Sequence, residues 1–374
     1  MLGQWIGDFA AMGWYGRVTI DAERVDASKV GGSVSLFPGR GSAGAITIGR
    51  IVPFEPQGSP EQVLILVNPM HPVTHQAVPW HELERVFPNM RFGTIIQAAV
   101  NWQQVQMTVD WNSNIGTHGN ATLHTSDAGR PSDLVPIVMD WQQFKLQLAQ
   151  LEPRRYVFRG QREPWRLRSK FHRTGRCDLI RYTGEDMQAL HRHLSAHTRH
   201  LFDRNKSDEN GAMLHLAQHH GFPTPLIDWS YSPFVAAYFA YQGMKNAEAM
   251  AAPDEQRIRI LQFDRQQWWD DFNQIAVTAP AQPHFSLLEF LPVENPRLIP
   301  QQALSGLTNA DDVEQYITWA ASQTGHCYLT AYDLPARSRE VVMRELALMG
   351  LTAGSLFPGL DGACEELSER FFPS

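Results

Sequence analysis

Two short segments of this sequence carry side chains suited to binding and transforming an anionic ligand. In the first, Tyr156–Gln161, Arg159 stands between a phenylalanine and Gly160 at the end of an expected strand. A guanidinium there can form paired hydrogen bonds with a phosphate or carboxylate, and the glycine would let a ligand approach the backbone. A buried ion pair between Arg159 and Asp228 explains the same arginine, and both interpretations stay open at this point.

The second segment covers residues 216–240 and passes from an expected strand into a helix. Asp228 and Ser230 are followed by Ser232 and a proline, which is a common helix start. Because backbone N–H groups and the helix dipole favour anions at a helix N-terminus, an anionic group could bind there. We expect Ser232 to cap the helix. Ser230 shows no such structural role in the sequence and is a catalytic candidate, while Asp228 could hold the arginine, orient a histidine or accept from a ribose hydroxyl.

Histidines are the third chemical feature. Six of them lie between residues 193 and 220: His193, His197, His200, His215, His219 and His220. His215 and His219 have the i, i+4 spacing of a metal pair, but no glutamate follows the first one as it does in zinc peptidases. His219 or His220 could instead act as a general base or ligand donor. Hydrogen bonding to the backbone around the glycine at 221 is the structural alternative.

The elements that must position these residues fall into two parts. Residues 1–130 show short apolar runs punctuated by Gly, Pro, Asn and Asp, which predicts an all-β domain, either a sandwich or a small barrel. The expected strands cover residues 4–9, 16–21, 32–37, 45–53, 62–67, 93–99, 104–111 and 119–124. A polar stretch, 125–133, is the expected linker.

Residues 135–374 alternate helical and strand patterns, which predicts an α+β domain. Helices are expected at 140–151, 184–204, 232–242 and 336–349. Strands are expected at 155–159, 258–263, 326–331 and 352–356 and near Leu298. In the helix at 184–204, the apolar stripe would contain Leu190, Leu194, His197 and Leu201.

Composition narrows the class of protein. The chain has 374 residues and a formal net charge of −7, which argues against phosphate-backbone binding as its main activity. No stretch approaches the roughly 20 apolar residues of a membrane span, and the first residues lack the pattern of a signal peptide. We therefore expect a cytoplasmic protein without a membrane partner. Motifs of Rossmann enzymes, P-loop NTPases and ordinary serine hydrolases are absent from the sequence.

One segment departs from this acidic balance. Between Arg154 and Arg181 the chain carries ten cationic side chains against two acidic ones, Glu163 and Asp178. Such an excess could present a positive potential to a dinucleotide or to RNA. A solvated basic face without a ligand is the alternative.

The two chemical segments together resemble the FRG domain, a bacterial and phage module named for its Phe-Arg-Gly signature, here Phe158, Arg159 and Gly160. A third segment, 350–362, resembles the closing part of that family. The resemblance covers roughly residues 150–370, so the expected organisation is an all-β domain that binds a trigger or a regulatory protein, followed by an FRG domain.

The order of these segments is also similar to that of ADP-ribosyltransferases, and this likeness implies an ADP-ribosyltransferase-like fold and site. In those enzymes an arginine and a serine cradle NAD, which would be Arg159 and Ser230 here. A third residue, usually glutamate, stabilises the sugar cation, and Gln301 stands at that place. Because a glutamine holds a ribose without lending charge, Glu289 and Glu294 are further candidates.

The resulting hypotheses name both roles and residues. The expected catalytic residues are Arg159, His219, Ser230 and Gln301, and no metal ligand is assigned. The expected substrate-binding residues are Gly160, Gln161, His220, Asp228, Trp229 and Ser232.

The first function hypothesis is a toxin-like effector in bacterial or phage conflict, in anti-phage defence, of ADP-ribosyltransferase or NAD glycohydrolase type. It would use NAD as its substrate, with a protein or RNA acceptor. The alternatives are a non-catalytic nucleotide or RNA sensor and a metal-dependent hydrolase built on the histidines.

Overall fold

A computed structural model describes residues 1–42, 44–72, 76–88 and 90–372. Within those ranges eight strands form the first part: β1 (Gly3–Ala11), β2 (Trp14–Arg24), β3 (Val30–Pro38), β4 (Thr47–Phe54), β5 (Glu61–Pro69), β6 (Ile95–Gln103), β7 (Gln106–Ser113) and β8 (His118–Thr125). Each strand pairs antiparallel with the next, and β1 also pairs with β8, so the sheet closes into a barrel. A barrel without free edges leaves no unpaired strand along its wall.

The barrel forms because apolar and polar residues alternate along its strands. In β7, Met107, Val109 and Trp111 point into the barrel and are buried, whereas Thr108 and Asp110 face outwards and are exposed. The same period of two along the other strands fills the barrel with one apolar core. The expected small barrel is confirmed, and the sandwich alternative is wrong.

The rest of the chain is a mixed α/β region around one sheet. Its strands are β9 (Ile137–Val138), β10 (Tyr156–Gln161), β11 (Leu226–Ser230), β12 (Arg257–Asp264), β13 (Phe285–Leu288), β14 (Ala303–Thr308) and β15 (Leu329–Pro335). The strand order is β13-β14-β11-β10-β12-β15-β9, with β9 parallel to β15 and the other pairs antiparallel. The strand that carries Arg159, β10, is therefore the central one, and β11 lies beside it.

Helices cover both faces of this sheet. They are α1 (Trp141–Leu148), α2 (Lys170–Arg173), α3 (Leu179–Arg181), α4 (Met187–Leu194), α5 (Ser207–His219), α6 (Pro233–Gln242), α7 (Asn246–Ala251), α8 (Arg265–Asp271), α9 (Val313–Thr324), α10 (Arg339–Leu348), α11 (Ala353–Leu356) and α12 (Leu360–Phe371). Phe158 of β10 packs in a core with α1, α6 and α10, while its neighbour Val157 packs on the opposite face with α8 and α9. No helix in the described ranges has both the length and the apolar character needed to cross a membrane.

The expected long helix at 184–204 is wrong in its second half. The chain makes a π-helical turn at Tyr182–Asp186, continues as α4 and leaves the helix after Leu194. The hydroxyls of Ser195 and Thr198 donate to the carbonyls of His191 and Leu194, and such side-chain bonds compete with helical ones. His197 and Leu201, expected on a buried stripe, are instead exposed.

Two expected strands are also wrong. Residues 352–356 form the short helix α11, because the Thr352 side chain caps it and accepts a hydrogen bond from Ser355 N. Leu298 lies in a run of turns before β14 rather than in a strand. The strand expected at 326–331 begins later, at Leu329.

The two parts of the chain are in direct contact. Polar side chains on the outer side of the first barrel strands are buried there: Gln4 Nε2 donates to Asn309 O at 2.8 Å, and Ser33 Oγ donates to Asp178 Oδ1 at 2.8 Å. Both Gln4 and Ser33 are almost fully buried. The barrel wall therefore packs on the α/β region through hydrogen bonds made by buried polar side chains.

Candidate functional site

A cavity of about 340 Å³ opens beside the central strand, between α5, α6 and the segments before β14 and around α11. We call it the cleft. It is lined by Phe158, Arg159, Gly160, His215, His219, Asp228, Trp229, Ser230, Ala236, Phe239, Arg297, Gln301, Ala303 and Phe357. The two chemical segments of the sequence meet there because β10 and β11 are neighbours, with Phe158 paired to Ser230.

Arg159 reaches into the cleft from β10. Its Nη1 donates to the backbone carbonyl of Asp228 at 2.7 Å, so the contact differs from the carboxylate ion pair that the sequence left open. Its Nε is buried without a hydrogen-bond partner among the described residues. Burial, partly offset by the charge of Asp228, lowers the pKa of Arg159 to about 10, so the guanidinium is still charged at pH 7. A partly buried cation with an unused Nε–H donor is suited to an anionic ligand.

Asp228 supplies the negative charge of the cleft. Its carboxylate accepts a hydrogen bond from Gln218 Nε2 at 2.5 Å, and its Oδ1 lies 3.4 Å from His215 Nε2. Burial by itself would raise the pKa of Asp228, but its interactions with His215 and the nearby charge of Arg159 outweigh burial and hold the pKa well below its usual range. Asp228 is therefore ionised at neutral pH. It is the one carboxylate among the described residues that line the cleft.

Two histidines of α5 form one wall. The ring centroids of His215 and His219 lie 4.6 Å apart, and His215 is fully buried. Within the described part of the chain, neither ring nitrogen of His215 nor Nδ1 of His219 has a well-aligned hydrogen-bond partner. Burial, with the charge of His215, lowers the pKa of His219 to about 4, so His219 is neutral at pH 7. His220 is exposed and lies outside the cleft lining.

The remaining histidines do not join this wall. His200 Nε2 lies 3.2 Å from Glu209 Oε2, and His193 and His197 are exposed. Within the described residues, no group of three or more His, Cys, Asp or Glu side chains is placed to hold a metal ion. The metal-hydrolase hypothesis therefore finds no ligand set in this part of the protein.

The two serines have structural partners. Ser232 accepts from Val235 N at 3.2 Å and caps α6, as expected. Ser230 Oγ donates to the carbonyl of Gln301 at 2.7 Å and accepts from Ser232 N at 3.0 Å. Ser230 thus ties β11 to the segment before β14, a role that the sequence did not predict. Its hydroxyl proton is engaged while it lines the cleft.

Gln301 and the two glutamate candidates lie in different surroundings. Gln301 lines the cleft, and its Nε2 donates to the carbonyl of Leu356 at 3.0 Å, which connects this segment to α11. Glu289 accepts from the hydroxyl of Tyr231, and Glu294 accepts from the backbone N–H groups of Arg199 and His200. Neither glutamate is part of the cleft lining.

Gly160 lines the cleft and also has a packing role that the sequence did not predict. A Cβ added to Gly160 would lie 1.9 Å from Ala236 O and 2.8 Å from Ala240 N. The glycine is therefore required by close packing of α6 on the central strand. Gln161 is buried and lies outside the cleft lining. Trp229 borders the cleft, but its ring is 2% exposed and packs against Phe263 and Phe285 in the core that contains Val157.

Three charged or aromatic residues of the cleft lining were not singled out from the sequence. Arg297 is a second cation, with its guanidinium carbon 5.5 Å from the ring centroid of Phe357. Phe357 and Phe239 meet edge to face, with ring centroids 5.8 Å apart. Arg297 lies close to Gln301 in the sequence, and Phe357 lies within the closing segment 350–362. Both stretches were identified by resemblance to known families, so that resemblance could have pointed to these two residues.

The basic segment between Arg154 and Arg181 is largely neutralised. Six of its cations contact carboxylates: Arg155, Arg162, Arg166, Arg168, Arg176 and Arg181. Arg166, for example, is 5% exposed and donates to Asp312 at 2.7 Å. The expected broad positive face is therefore replaced by internal ion pairs, and Arg159 remains as the cation of this segment that lines the cleft.

Comparison with known proteins gives one family match. Residues 154–249 match the family model of the FRG domain, which includes Arg159 and Asp228 and ends before Gln301. The expected FRG domain is thus supported over these residues. No curated protein matches the chain.

Matches to solved structures concern designed barrels. A redesigned β-barrel bound to DFHBI is 9% identical, with a TM-score of 0.22, over 33% of this chain and 93% of the other. A de novo designed fluorescence-activating β-barrel is 10% identical, with a TM-score of 0.23, over 34% of this chain and 94% of the other. Scores of this size say nothing about function. The ADP-ribosyltransferase resemblance receives no support from these matches.

Proposed function

We propose that the cleft binds a nucleotide, with NAD as the first candidate, and cleaves its glycosidic bond as a glycohydrolase or ADP-ribosyltransferase. The observation that carries the proposal is the placement of Arg159, a charged arginine with an unused buried donor, beside ionised Asp228. A cation for phosphate and an anion for a developing sugar cation are the two charges that this reaction needs.

Binding would use the two arginines and the aromatic pair. Arg159 and Arg297 both line the cleft, so a pyrophosphate could contact either or both guanidinium groups. Phe239 and Phe357 lie at the same cavity, and aromatic side chains of this kind stack on nucleotide rings. A cavity of about 340 Å³ accommodates part of a dinucleotide, with the rest outside.

The chemical step would depend on Asp228. The bond between ribose C1′ and the nicotinamide nitrogen breaks with its electron pair going to nitrogen, which releases neutral nicotinamide. Water or an acceptor nucleophile then forms the new bond to C1′ and loses its proton to solvent. The carboxylate of Asp228 stabilises the oxocarbenium-like sugar between these events. His219 is neutral at pH 7 and can hold a ribose hydroxyl through a ring nitrogen.

The test is incubation of purified protein with labelled NAD, measuring nicotinamide release and transfer of label to protein, RNA and DNA. Asp228→Asn should lower the rate about 100-fold or more, because it removes the charge that stabilises the sugar cation. Arg159→Met should weaken NAD binding by about tenfold or more, since it removes charge-assisted hydrogen bonds. Exposed Arg192, which lies outside the cleft, provides the matched control Arg192→Met.

The arginine variant also separates a ligand role from a structural one. Burial disfavours the charge of Arg159, and its hydrogen bond goes to the Asp228 backbone carbonyl rather than to a carboxylate, so Arg159→Met removes a desolvation cost together with one hydrogen bond. We therefore expect the melting temperature of Arg159→Met to stay equal or rise while binding is lost. A large fall in melting temperature, or nicotinamide release at the wild-type rate in both cleft variants, would contradict the proposal.

The second candidate is a nucleotide or RNA sensor without catalysis. It is favoured by the side chain of Gln301, which donates to the Leu356 carbonyl, and by the location of Glu289 and Glu294 outside the cleft lining. NAD or RNA binding that depends on Arg159, with no nicotinamide release, would establish the sensor.

The toxin-like role in bacterial or phage conflict is the biological part of the proposal. It predicts that overexpression slows bacterial growth and that Asp228→Asn relieves this effect at equal protein level. Equal toxicity of the two proteins would separate growth inhibition from the chemistry of the cleft.

A further inference from the structure

The barrel has a second cavity, at the end opposite to its filled core. Its volume is about 720 Å³, and it lies where the four connections β1–β2, β3–β4, β5–β6 and β7–β8 meet. We call it the barrel mouth. Its walls are mostly apolar, with Trp14, Val67, Phe87, Phe92 and Trp111 among them.

The mouth continues into the barrel. At the other end the interior is filled by Trp5, Met107 and Leu123, each at most 2% exposed. Towards the mouth the core leaves a narrow void of about 40 Å³, which shares Leu36 and Ile96 with the larger cavity. Eight-stranded barrels have interiors that either fill with side chains or hold one small ligand, and here the two arrangements occupy opposite ends.

Aromatic contacts hold the wall that the β5–β6 connection contributes. The ring of Trp80 stacks on Phe92 at 5.4 Å and lies near Phe87 at 6.4 Å between centroids. Leu83 of the same connection is fully buried. Contacts among residues of the β5–β6 connection therefore stabilise this wall.

The mouth also contains a polar atom without a partner. Trp14 Nε1 is buried and donates to no hydrogen-bond acceptor among the residues that the structure describes. An unpaired buried N–H costs about 1–3 kcal/mol, and an acceptor on a bound molecule would remove that cost. The hydroxyls of Ser113 and Thr117, by contrast, bond each other at 2.6 Å.

We propose that the barrel mouth binds one small, largely apolar and aromatic molecule that offers a hydrogen-bond acceptor to Trp14. The volume lies in the range of small-molecule pockets, and the combination of aromatic walls with few free polar groups is typical of them. The second part of the chain packs on the outer side of the barrel through Gln4 and Ser33, which are not among the mouth residues. A ligand can therefore reach the mouth while the two parts stay together.

The experiment is a fluorescence titration of the full chain with 1-anilinonaphthalene-8-sulfonate, an apolar aromatic dye with an acceptor sulfonate. We expect saturable binding of one dye per chain, with quenching of tryptophan emission. Trp14→Phe keeps the ring and removes the donor, so it should weaken binding about threefold to tenfold. Phe87→Ala removes part of the wall and should also weaken binding several-fold, since it deletes apolar contact area.

Val105→Ala is the matched control, because Val105 is an exposed apolar residue that lies outside the mouth. NAD should not displace the dye, which distinguishes this site from the cleft. Cooperative unfolding of each variant establishes that it is folded. Absence of a saturable site, or wild-type affinity in both Trp14→Phe and Phe87→Ala, would overturn the proposal.

Discussion

Arg159 carries a charge that its burial in the fold disfavours. Burial lowers its pKa to about 10, and its Nη1 bonds a backbone carbonyl rather than a carboxylate. A residue retained for stability would be paired as Arg166 is with Asp312. The contrast between these two arginines supports a ligand role for Arg159.

The neighbouring Gly160 allows α6 to pack closely on β10, and the stability of a Gly160 variant tests this role. Gly160→Ala should lower the free energy of unfolding by about 1–3 kcal/mol or more, because the new Cβ would overlap the carbonyl of Ala236 and force α6 away from β10. Urea unfolding followed by circular dichroism measures the change. Gly184→Ala is the control, since none of the described atoms lies within 4 Å of a Cβ added there. Equal stability of the Gly160→Ala and wild-type proteins would contradict this role.

At the scale of elements, the cleft depends on the C-terminal segment. Glu366 of α12 accepts from Thr352 Oγ1 at 2.6 Å and from Gly354 N at 3.0 Å, which fixes α11 against α12. The next residues carry Phe357 to the cleft. A single carboxylate on the last helix thus positions an aromatic wall of the site.

This connection predicts a local loosening. Glu366→Ala should speed amide hydrogen exchange in residues 353–371 by about tenfold, because it removes two hydrogen bonds to a charged acceptor. Exchange measured by mass spectrometry would detect the change, while barrel peptides should be unaffected. Glu366→Gln keeps an acceptor oxygen and should give an intermediate rate. Protection equal to that of wild type in Glu366→Ala would refute this role.

At the scale of the whole molecule, the junction between barrel and α/β region is rich in carboxylates. Glu23 is 4% exposed and accepts from Arg176 Nη2 at 3.0 Å and from Arg181 Nη1 at 3.3 Å. Among the described residues no cation forms an ion pair with Asp21. Its burial, followed by the charges of Asp178 and other carboxylates, raises its pKa well above the usual range. At the junction, the charge of Glu23 is thus paired with two arginines, whereas ionisation of Asp21 is unfavourable.

Because ionisation of Asp21 is unfavourable in the fold, the stability of the protein should depend on pH. In the unfolded chain Asp21 ionises near pH 4, whereas in the fold it holds its proton to higher pH, so stability falls as pH rises above 4. Asp21→Asn keeps an acceptor for Gln4 Nε2 and removes the charge. It should raise the melting temperature at pH 8, and the gain should disappear towards pH 4.

Thermal unfolding of both proteins from pH 4 to 8 measures this difference. Asp110→Asn on the exposed side of β7 controls for the change in net charge. A gain of the same size at every pH would contradict the assignment, because a packing effect does not titrate.

Local interactions determined what the sequence alone could predict. All eight barrel strands were predicted from short apolar runs punctuated by Gly, Pro, Asn and Asp, and the start of α6 was predicted from the Ser232 cap. The FRG motif also identified the two segments that meet in the cleft. Each of these signals involves residues a few positions apart, so it can be recognised in the sequence without the tertiary structure.

Tertiary packing decided the rest. The exclusion of Glu289 and Glu294 from the cleft, the bond from Ser230 to the Gln301 carbonyl, and the arrival of Arg297 and Phe357 all depend on segments distant in the chain. The end of α4 and the requirement for glycine at position 160 likewise depend on neighbours that periodicity does not reveal. Residue types and short spacings therefore determined the elements and most of the candidate site, while packing between distant segments determined which side chains keep a free functional group.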